Sequence, residues 1–503
     1  MSRDHGGIGL APLYREKYRP QFHLTPPEGP MSDPNGMVYF DGEYHQFYQF
    51  TGRWGHAVSK DLVHWEHLPL ALDTDKLGDI WSGSAVVDWQ DSSGFFGGKP
   101  GLVAIFTHFQ DGLQSQSIAY STDRGRSWRK YAGNPVIPNP GLKDFRDPKV
   151  LWHEETERWI MAVSVDRRIY FYSSADLKRW LFESEFGEGM GSHAAVWECP
   201  DLFRLSVEHE EDLCKWVLHV SIGDNEVTDG SSAQYFIGEF DGHRFVVDEA
   251  EQGQSQWTDY GQDYYAAVSY SDLPESQGRQ VWLGWTSNWK YPFSSPTDPW
   301  KGGMSIPRSL SLRRGHQERL VLVQTPVEEL KSLRLTPRAF EPIVLEDGVL
   351  KLDLDLDLDQ TICNSYEFSL EIAWEEAVSF GLRLCSSSRE RQYTELGCRP
   401  SESKLYLERT YSGYSDIADR FGGTANFAKR FEARCDAEKR TLKMRGFVDC
   451  CLVEWFIEDG EYVFTSLIYP DPDSTDVELF VSGGKAVFSK LEFFPLQSIW
   501  NKD

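Results

Sequence analysis

Between residues 39 and 313 the chain runs in short alternating or continuously apolar segments broken by Gly, Asp, Asn and Ser, without a long stretch at helical spacing. Such a pattern predicts strand after strand, an all-β protein. A loose repeat overlies it. Ser59, Asp61 and Trp65 in AVSKDLVHW are echoed by Ser121, Asp123 and Trp128 in YSTDRGRSW, and by Ser174, Asp176 and Trp180 in YSSADLKRW. A weaker copy, GEFDGHRF, holds Asp241 and Phe245. Each copy reads as a strand, a polar turn held by Ser and Asp side chains, and an aromatic residue leading into the next strand. Recurrence at this period marks a propeller or solenoid, and blades of roughly forty to sixty residues give about five units. The prediction is a five-bladed β-propeller over residues 1–335.

The stretch 314–342 reads as a linker with one short helix at 327–330. After it, Leu and Asp alternate through residues 349–359, the period of a strand with one face buried. Further strands are expected at 367–374, 441–447 and 451–457, with a turn at Asp459-Gly460. The expected fold for residues 346–503 is a β-sandwich, structural or accessory in role.

Composition narrows the chemistry. Of 503 residues 40% are hydrophobic and 14% aromatic, which excludes a disordered protein and allows a sizeable core. Eighteen Trp and twenty-two Tyr suit a cleft that stacks sugar rings, although strand-rich proteins favour aromatics in any case. A net charge of −27 argues against nucleic acid and anionic membranes and favours a neutral substrate. No segment has the roughly twenty apolar residues of a membrane span, and residues 1–15 lack the apolar core of a secretory signal. Eight cysteines without a C-x-x-C pair read as reduced thiols. These features favour the cytoplasm; a signal removed beforehand would make the protein secreted.

Three acidic motifs stand in turn-like settings beside a strand: Ser32-Asp33-Pro34-Asn35-Gly36, Arg146-Asp147-Pro148 and Trp197-Glu198-Cys199-Pro200. Proline restrains the residue before it, Asn35-Gly36 reads as a tight turn, and apolar neighbours around Glu198 favour a raised carboxyl pKa. Taken singly, each has a structural reading as a turn, an ion pair or a strand end. Recurring one per successive blade, they can converge on one funnel at the propeller axis. Two carboxyls, one ionised and one protonated, suffice to cleave a glycosidic bond, and a third near an Arg can bind sugar hydroxyls. There is no metal-ligand spacing, phosphate loop or Gly-x-Ser-x-Gly elbow, so neither metal nor cofactor is expected.

Together these motifs resemble glycoside hydrolase family 32, the invertases, levanases and inulinases, over nearly the whole chain. The resemblance runs in order through the Asp33 box, residues 44–49, Trp54-Gly55-His56-Ala57, Trp81-Ser82-Gly83-Ser84, and the Asp147 and Glu198 boxes. It continues through Asp259-Tyr260-Gly261, Asp263, Tyr265, Gly284-Trp285, residues 300–308 and the later segments around Asp449, Glu454 and Asp459-Gly460. It implies a five-bladed propeller joined to a sandwich, with Asp33 as nucleophile, Glu198 as general acid and base, and Asp147 as transition-state stabiliser beside Arg146. Gln49, Trp54, Trp81, Ser82 and Trp285 are implied to line a fructose pocket, with Ser32 in the place of the usual Asn and Pro30 in that of the usual Trp. The stretch between Gln49 and Trp54 is shorter than usual, which can remove one aromatic wall. Retention of configuration would follow, with the two carboxyls about 5 to 5.5 Å apart.

The expected function is fructose release from β-fructofuranosides such as sucrose, fructo-oligosaccharides, levan or inulin, without nucleic-acid or membrane partners; the sequence leaves room for a homodimer. Three alternatives stay open: a fructosyltransferase on the same site, a fructan-binding protein without turnover, and a sialidase suggested by the Asp-box at 121–128.

Overall fold

The computed structural model describes residues 14–248, 255–315, 318–354 and 364–500. Strands dominate because β-branched and aromatic residues alternate with polar ones between Gly- and Asp-rich turns. Blade I comprises Pro34–Phe40, Glu43–Gln49, Trp54–Ser59 and Trp65–Leu72; blade II, Asp79–Asp88, Gly101–Gln110, Leu113–Ser121 and Arg129–Lys130. Blade III comprises Phe145–His153, Arg158–Val165, Arg168–Ser174 and Leu181–Phe186. Blade IV holds Trp197–Val207, Glu210–Asn225, Gly230–Phe240 and Phe245–Val247, and blade V holds Tyr265–Ser269, Gln280–Trp285, Arg308–Arg314 and Leu320–Pro326. A parallel pairing of Val207 with Leu312 joins the last two blades into one larger sheet. The first strand of each blade is innermost, each contacts the next around the ring, and the fifth closes on the first. This is the five-bladed β-propeller expected from the repeat.

The repeat itself is the turn between the third and outermost strands of a blade. Ser59 and Ser121 hydroxyls donate to Asp61 at 3.0 Å and Asp123 at 2.8 Å. Asp61, Asp123, Asp176 and Asp241 then accept backbone N–H groups of the following turn at 2.8–3.0 Å. The Asp-box at 121–128 is therefore a structural turn, and the sialidase alternative loses its only support.

Beyond the blades, the strands between Arg338 and Pro495 form a β-sandwich around Trp374, Phe380, Trp455, Phe464 and Phe488. One twenty-residue strand, Asp476–Pro495, serves both halves: its first part pairs with Ser379–Ser387 and its second with Tyr366–Trp374. The strand turns this corner at Gly483-Gly484. At Gly484 φ is +154° and a Cβ would stand 1.6 Å from the Glu376 carbonyl oxygen, so only glycine fits.

Three expectations need correction. The linker at 314–342 contains Leu320–Pro326, which hairpins onto Arg308–Arg314 as the edge of blade V; the short helix follows it as a 3₁₀ turn, Glu328–Leu333. The alternating run is a strand only within Ile343–Lys351, and residues 355–359 of it lie outside the described residues. Among the described residues six cysteines are free thiols, but Cys450 is disulfide-bonded, against the fully reduced reading. Among the described residues no helix is long and apolar enough to cross a membrane.

Propeller and sandwich meet over a buried polar network. Arg308 of blade V, fully buried, donates to Glu454 at 2.5 Å, Thr465 at 2.6 Å and Asp259 at 3.2 Å. His23 bridges Asp449 at 2.8 Å and Glu454 at 2.9 Å. Burial disfavours its charge, yet both carboxylates outweigh that and raise its pKa to about 9. A histidine raised above its unfolded value near 6.5 contributes stability that is present below about pH 6.5 and lost as pH climbs through 9. Thermal stability is therefore expected to decline between pH 6.5 and 9, and His23→Gln to flatten that slope. Melting scans of both proteins across this range check it; an unchanged slope in the variant contradicts the assignment.

Candidate active site

All five innermost strands break register at the same axial level. The breaks fall at Asn35/Val38, Ile80/Gly83, Arg146/Lys149, Glu198/Asp201 and Tyr265/Val268. These are β-bulges, which bend a strand and re-aim its side chains. Gly36, Asp147, Cys199 and Ala266 take φ of +46° to +64° within them. Asn35-Gly36 is thus not the tight turn expected but a bulge inside Pro34–Phe40. Gly36 is required there, since a Cβ would meet Phe47 at 2.6 Å and Trp54 at 2.9 Å. The turn-like signature of the acidic motifs is the local sequence of a bulge.

The bulges deliver Asp33, Asp147 and Glu198 into one cavity, lined also by Ser32, Gln49, Trp81, Ser82 and Arg146. Asp33 Oδ2 accepts from the Ser82 hydroxyl at 2.7 Å, while its Oδ1 is buried without a hydrogen bond. Burial, reinforced by the Glu198 charge and opposed by the Ser82 hydrogen bond, raises its pKa to about 6. Asp147 Oδ2 accepts from the Cys199 N–H at 3.0 Å, and its own N–H donates to Thr107 at 3.0 Å. Its pKa rises to about 7 through burial, with Arg146 pulling down and the other two carboxylates pushing up. The Cys199 thiol lies 3.7 Å from both Asp33 and Asp147, a neutral spacer between them. Burial and the surrounding carboxylates push that thiol far up, which keeps it uncharged.

Glu198 is held at both oxygens. Arg146 donates to Oε1 at 2.7 Å and the Tyr265 hydroxyl donates to Oε2. Arg146 is in turn tied to Asp144 at 2.8 Å, and only its Nε approaches Asp147, at 3.8 Å. So Arg146 serves Glu198 more closely than Asp147, its neighbour in sequence. Gln49 donates to the Ile80 carbonyl at 2.8 Å, leaving its Oε1 without a partner, and Trp81 stacks on Phe109 at 4.1 Å.

Trp54 and Trp285 do not line the cavity as expected. Trp54 is fully buried between blades I and II and donates to the Trp81 carbonyl at 3.0 Å, so it supports Trp81 from behind. Trp285, also fully buried, packs edge-on to Tyr265 and against Trp289 beneath the site. Trp54 opens the third strand of blade I and Trp285 ends the second strand of blade V, so neither stands on an innermost strand. Sequence reasoning also missed Gln114, Asp144, Asp224, Trp289 and Arg420 as cavity residues and Tyr265 as a partner of Glu198. Arg420 reaches the rim from the sandwich, bonded to the Lys290 carbonyl at 2.8 Å and 3.2 Å from Asp224. No local motif marks it, because it enters the site through the packing of two domains.

The chain is similar to known proteins over nearly its whole length. The family model "Glycosyl hydrolases family 32 N-terminal domain" matches residues 23–326, and "Glycosyl hydrolases family 32 C terminal" matches residues 329–495. A levanase of Bacillus subtilis (strain 168) is 45% identical over 97% of this chain and 72% of its own. An extracellular exo-inulinase of Aspergillus awamori is 34% identical over 98% of this chain and 97% of its own. The crystal structure of an exo-inulinase from that organism superposes with a TM-score of 0.86 and 33% identity, covering 97% of this chain and 100% of the other.

Proposed function

This chain belongs to glycosyl hydrolase family 32, and from that premise we propose an exo-acting, retaining β-fructofuranosidase that releases fructose from fructan ends, levan foremost. The observation that carries the reading is the meeting of Asp33, Asp147 and Glu198 in one cavity, on strands bulged at one level. The 45% identity to a levanase supports levan as the leading substrate.

In this reading the ionised Asp33 attacks the anomeric carbon of the terminal fructosyl unit as Glu198 protonates the departing glycosidic oxygen. A covalent fructosyl–Asp33 ester forms and the shortened polymer leaves. Glu198, now a carboxylate, takes a proton from water; the hydroxide equivalent breaks the ester, and fructose leaves with its configuration retained. Arg146 and Tyr265 fix the direction of the Glu198 carboxyl. Asp147 and Gln49 accept from sugar hydroxyls, and Ser32 and Trp81 bound the pocket. Residues 1–335 form the catalytic unit and 346–503 the sandwich that lends Arg420 to its rim. The disulfide at Cys450 and the extracellular exo-inulinase among its relatives support an oxidising, extracellular setting rather than the cytoplasm.

The test is chromatography of products from sucrose, inulin and levan over time. Free fructose is expected as the one small product of levan, released fastest from that polymer, and proton NMR of the first turnovers is expected to show the β-anomer. Longer oligosaccharides accumulating at high sucrose would instead reveal a transferase. No fructose from any of the three substrates overturns the reading.

A further inference from the structure

The innermost strands start at the catalytic cavity and end at another one. This second cavity lies where Pro34–Phe40, Asp79–Asp88 and Phe145–His153 finish and where the backbone leaves Tyr265–Ser269. A strand of seven residues spans about 20 Å, so the two openings lie on opposite faces of the propeller. Aromatic side chains line it, among them Tyr39, Trp89, Trp152 and Trp159.

Trp89 is the telling residue. The residue is 55% exposed, an unfavourable place for the largest apolar surface in the amino-acid set, yet it is not left loose. Its indole N–H donates to Asp272 Oδ1 at 2.8 Å, and the other oxygen of Asp272 accepts the Val87 N–H at 2.8 Å. Phe40 meets the ring edge-on at 5.9 Å. The loop that follows is equally fixed. Asp88 accepts the N–H groups of Ser92 and Ser93, each at 2.8 Å, and the Ser92 hydroxyl accepts the Trp159 N–H at 2.9 Å. The result is a rigid, outward-facing indole beside a trough of further rings, with the carboxylates of Asp41 and Glu154 at its margin.

We propose that this second cavity is a non-catalytic binding site for a neutral fructan polymer, with Trp89 as its stacking platform. The C–H faces of furanose rings pack on aromatic faces, and hydroxyl groups donate to carboxylates. Among the described residues no lysine, arginine or histidine lines the cavity, so nothing there recognises an anionic ligand. A pre-ordered ring also binds without losing rotamer freedom, the usual cost of immobilising a long side chain. Two sugar sites on opposite faces let one polymer stretch hold the enzyme while another end is cut, which raises the effective concentration of polymer ends at the catalytic cavity. The identity of the sugar rests on the function proposed above; the existence of the site does not.

The experiment is native electrophoresis through gels containing levan, inulin, dextran or no polysaccharide, with Asp33→Ala present throughout so that the gel polymer survives. Retardation by levan is expected for this parent and for Trp89→Tyr, which keeps an aromatic face. At least a fivefold loss of apparent affinity is expected for Trp89→Ala and for Trp89→Leu, which keeps bulk without the ring. In the otherwise unsubstituted enzyme the Trp89 variants are expected to hydrolyse sucrose at the parental rate, which reports an intact fold. Hydrolysis of levan at limiting concentration is expected to fall severalfold in Trp89→Leu. Equal retardation of Trp89→Leu and parent, equal retardation by dextran and levan, or none by any polymer overturns the proposal. Trp89-dependent retardation in an enzyme that frees no fructose would overturn the proposed function and leave the binding site standing.

Discussion

Asp33→Asn is expected to lower the rate of fructose release by roughly four orders of magnitude or more, and at the same time to raise the thermal midpoint at pH 7. The first effect follows from removing the group placed to form the covalent ester; asparagine fills the same space and can accept from Ser82, but cannot attack. The second follows from linkage. Burial raises the folded-state pKa of Asp33 from 3.8 to about 6, so the folded protein binds this proton more tightly than the unfolded protein does. Such a group makes the fold less stable as pH rises from about 4 through 6, and the full penalty stands at neutral pH. Asparagine carries no such penalty. The gain in midpoint is thus expected to be large at pH 7 and to vanish near pH 4. In the parent, the acid limb of kcat/KM is expected near pH 6, where the nucleophile and the neighbouring Asp147 lose their protons as a coupled set. Initial-rate assays and paired melting scans at pH 4 and 7 check both halves. A variant retaining more than a hundredth of parental activity removes Asp33 from its role, and one less stable than parent at pH 7 contradicts the burial argument.

Arg308→Leu is expected to destabilise the protein by about 3–5 kcal/mol, the usual cost of removing one partner from a buried ionic network. The guanidinium is fully buried and holds Glu454 and Thr465 of the sandwich together with Asp259 of the propeller. It also stacks over Tyr264 at 4.0 Å. Leucine leaves two carboxylates facing each other without this cation, out of reach of water. The double variant Arg308→Leu with Glu454→Leu is expected to be less destabilised than the sum of the two single changes, because one orphaned charge goes with its partner. Calorimetric melting of the three variants checks this. A single variant within 1 kcal/mol of the parent shows that the network contributes specificity rather than stability.

The architecture was legible in the sequence because it repeats. Three copies of a Ser/Asp turn and a fourth with Asp241 alone mark the same joint in successive blades, and each side chain serves its own neighbours, so local reading was enough. The three carboxylates were legible for a related reason: each is followed within two residues by a proline, which a strand accommodates at a bulge. Side-chain direction was not. Trp54 lies on the third strand of its blade and is buried among residues of blades I and II, and no single strand carries that information. The Tyr265 partner of Glu198 was harder still, since it stands one blade away, and Arg420 enters the cavity rim from the sandwich. The disulfide at Cys450 escaped a count of cysteines because count and spacing say nothing about proximity in space.

The shared bulge level has one more consequence. In a regular strand, side chains alternate between faces, and an extra residue reverses the phase of every position beyond it. Each innermost strand therefore changes phase once, at the mouth of the site. Above that point the strands bring carboxylates to the cavity; below it Lys149 and Asp201 pair with each other, buried, at 3.0 Å. Substitution can retune such a strand one position at a time, whereas deletion of a single bulge residue would throw its entire lower half out of step. The ring is tolerant of new letters and intolerant of a changed count.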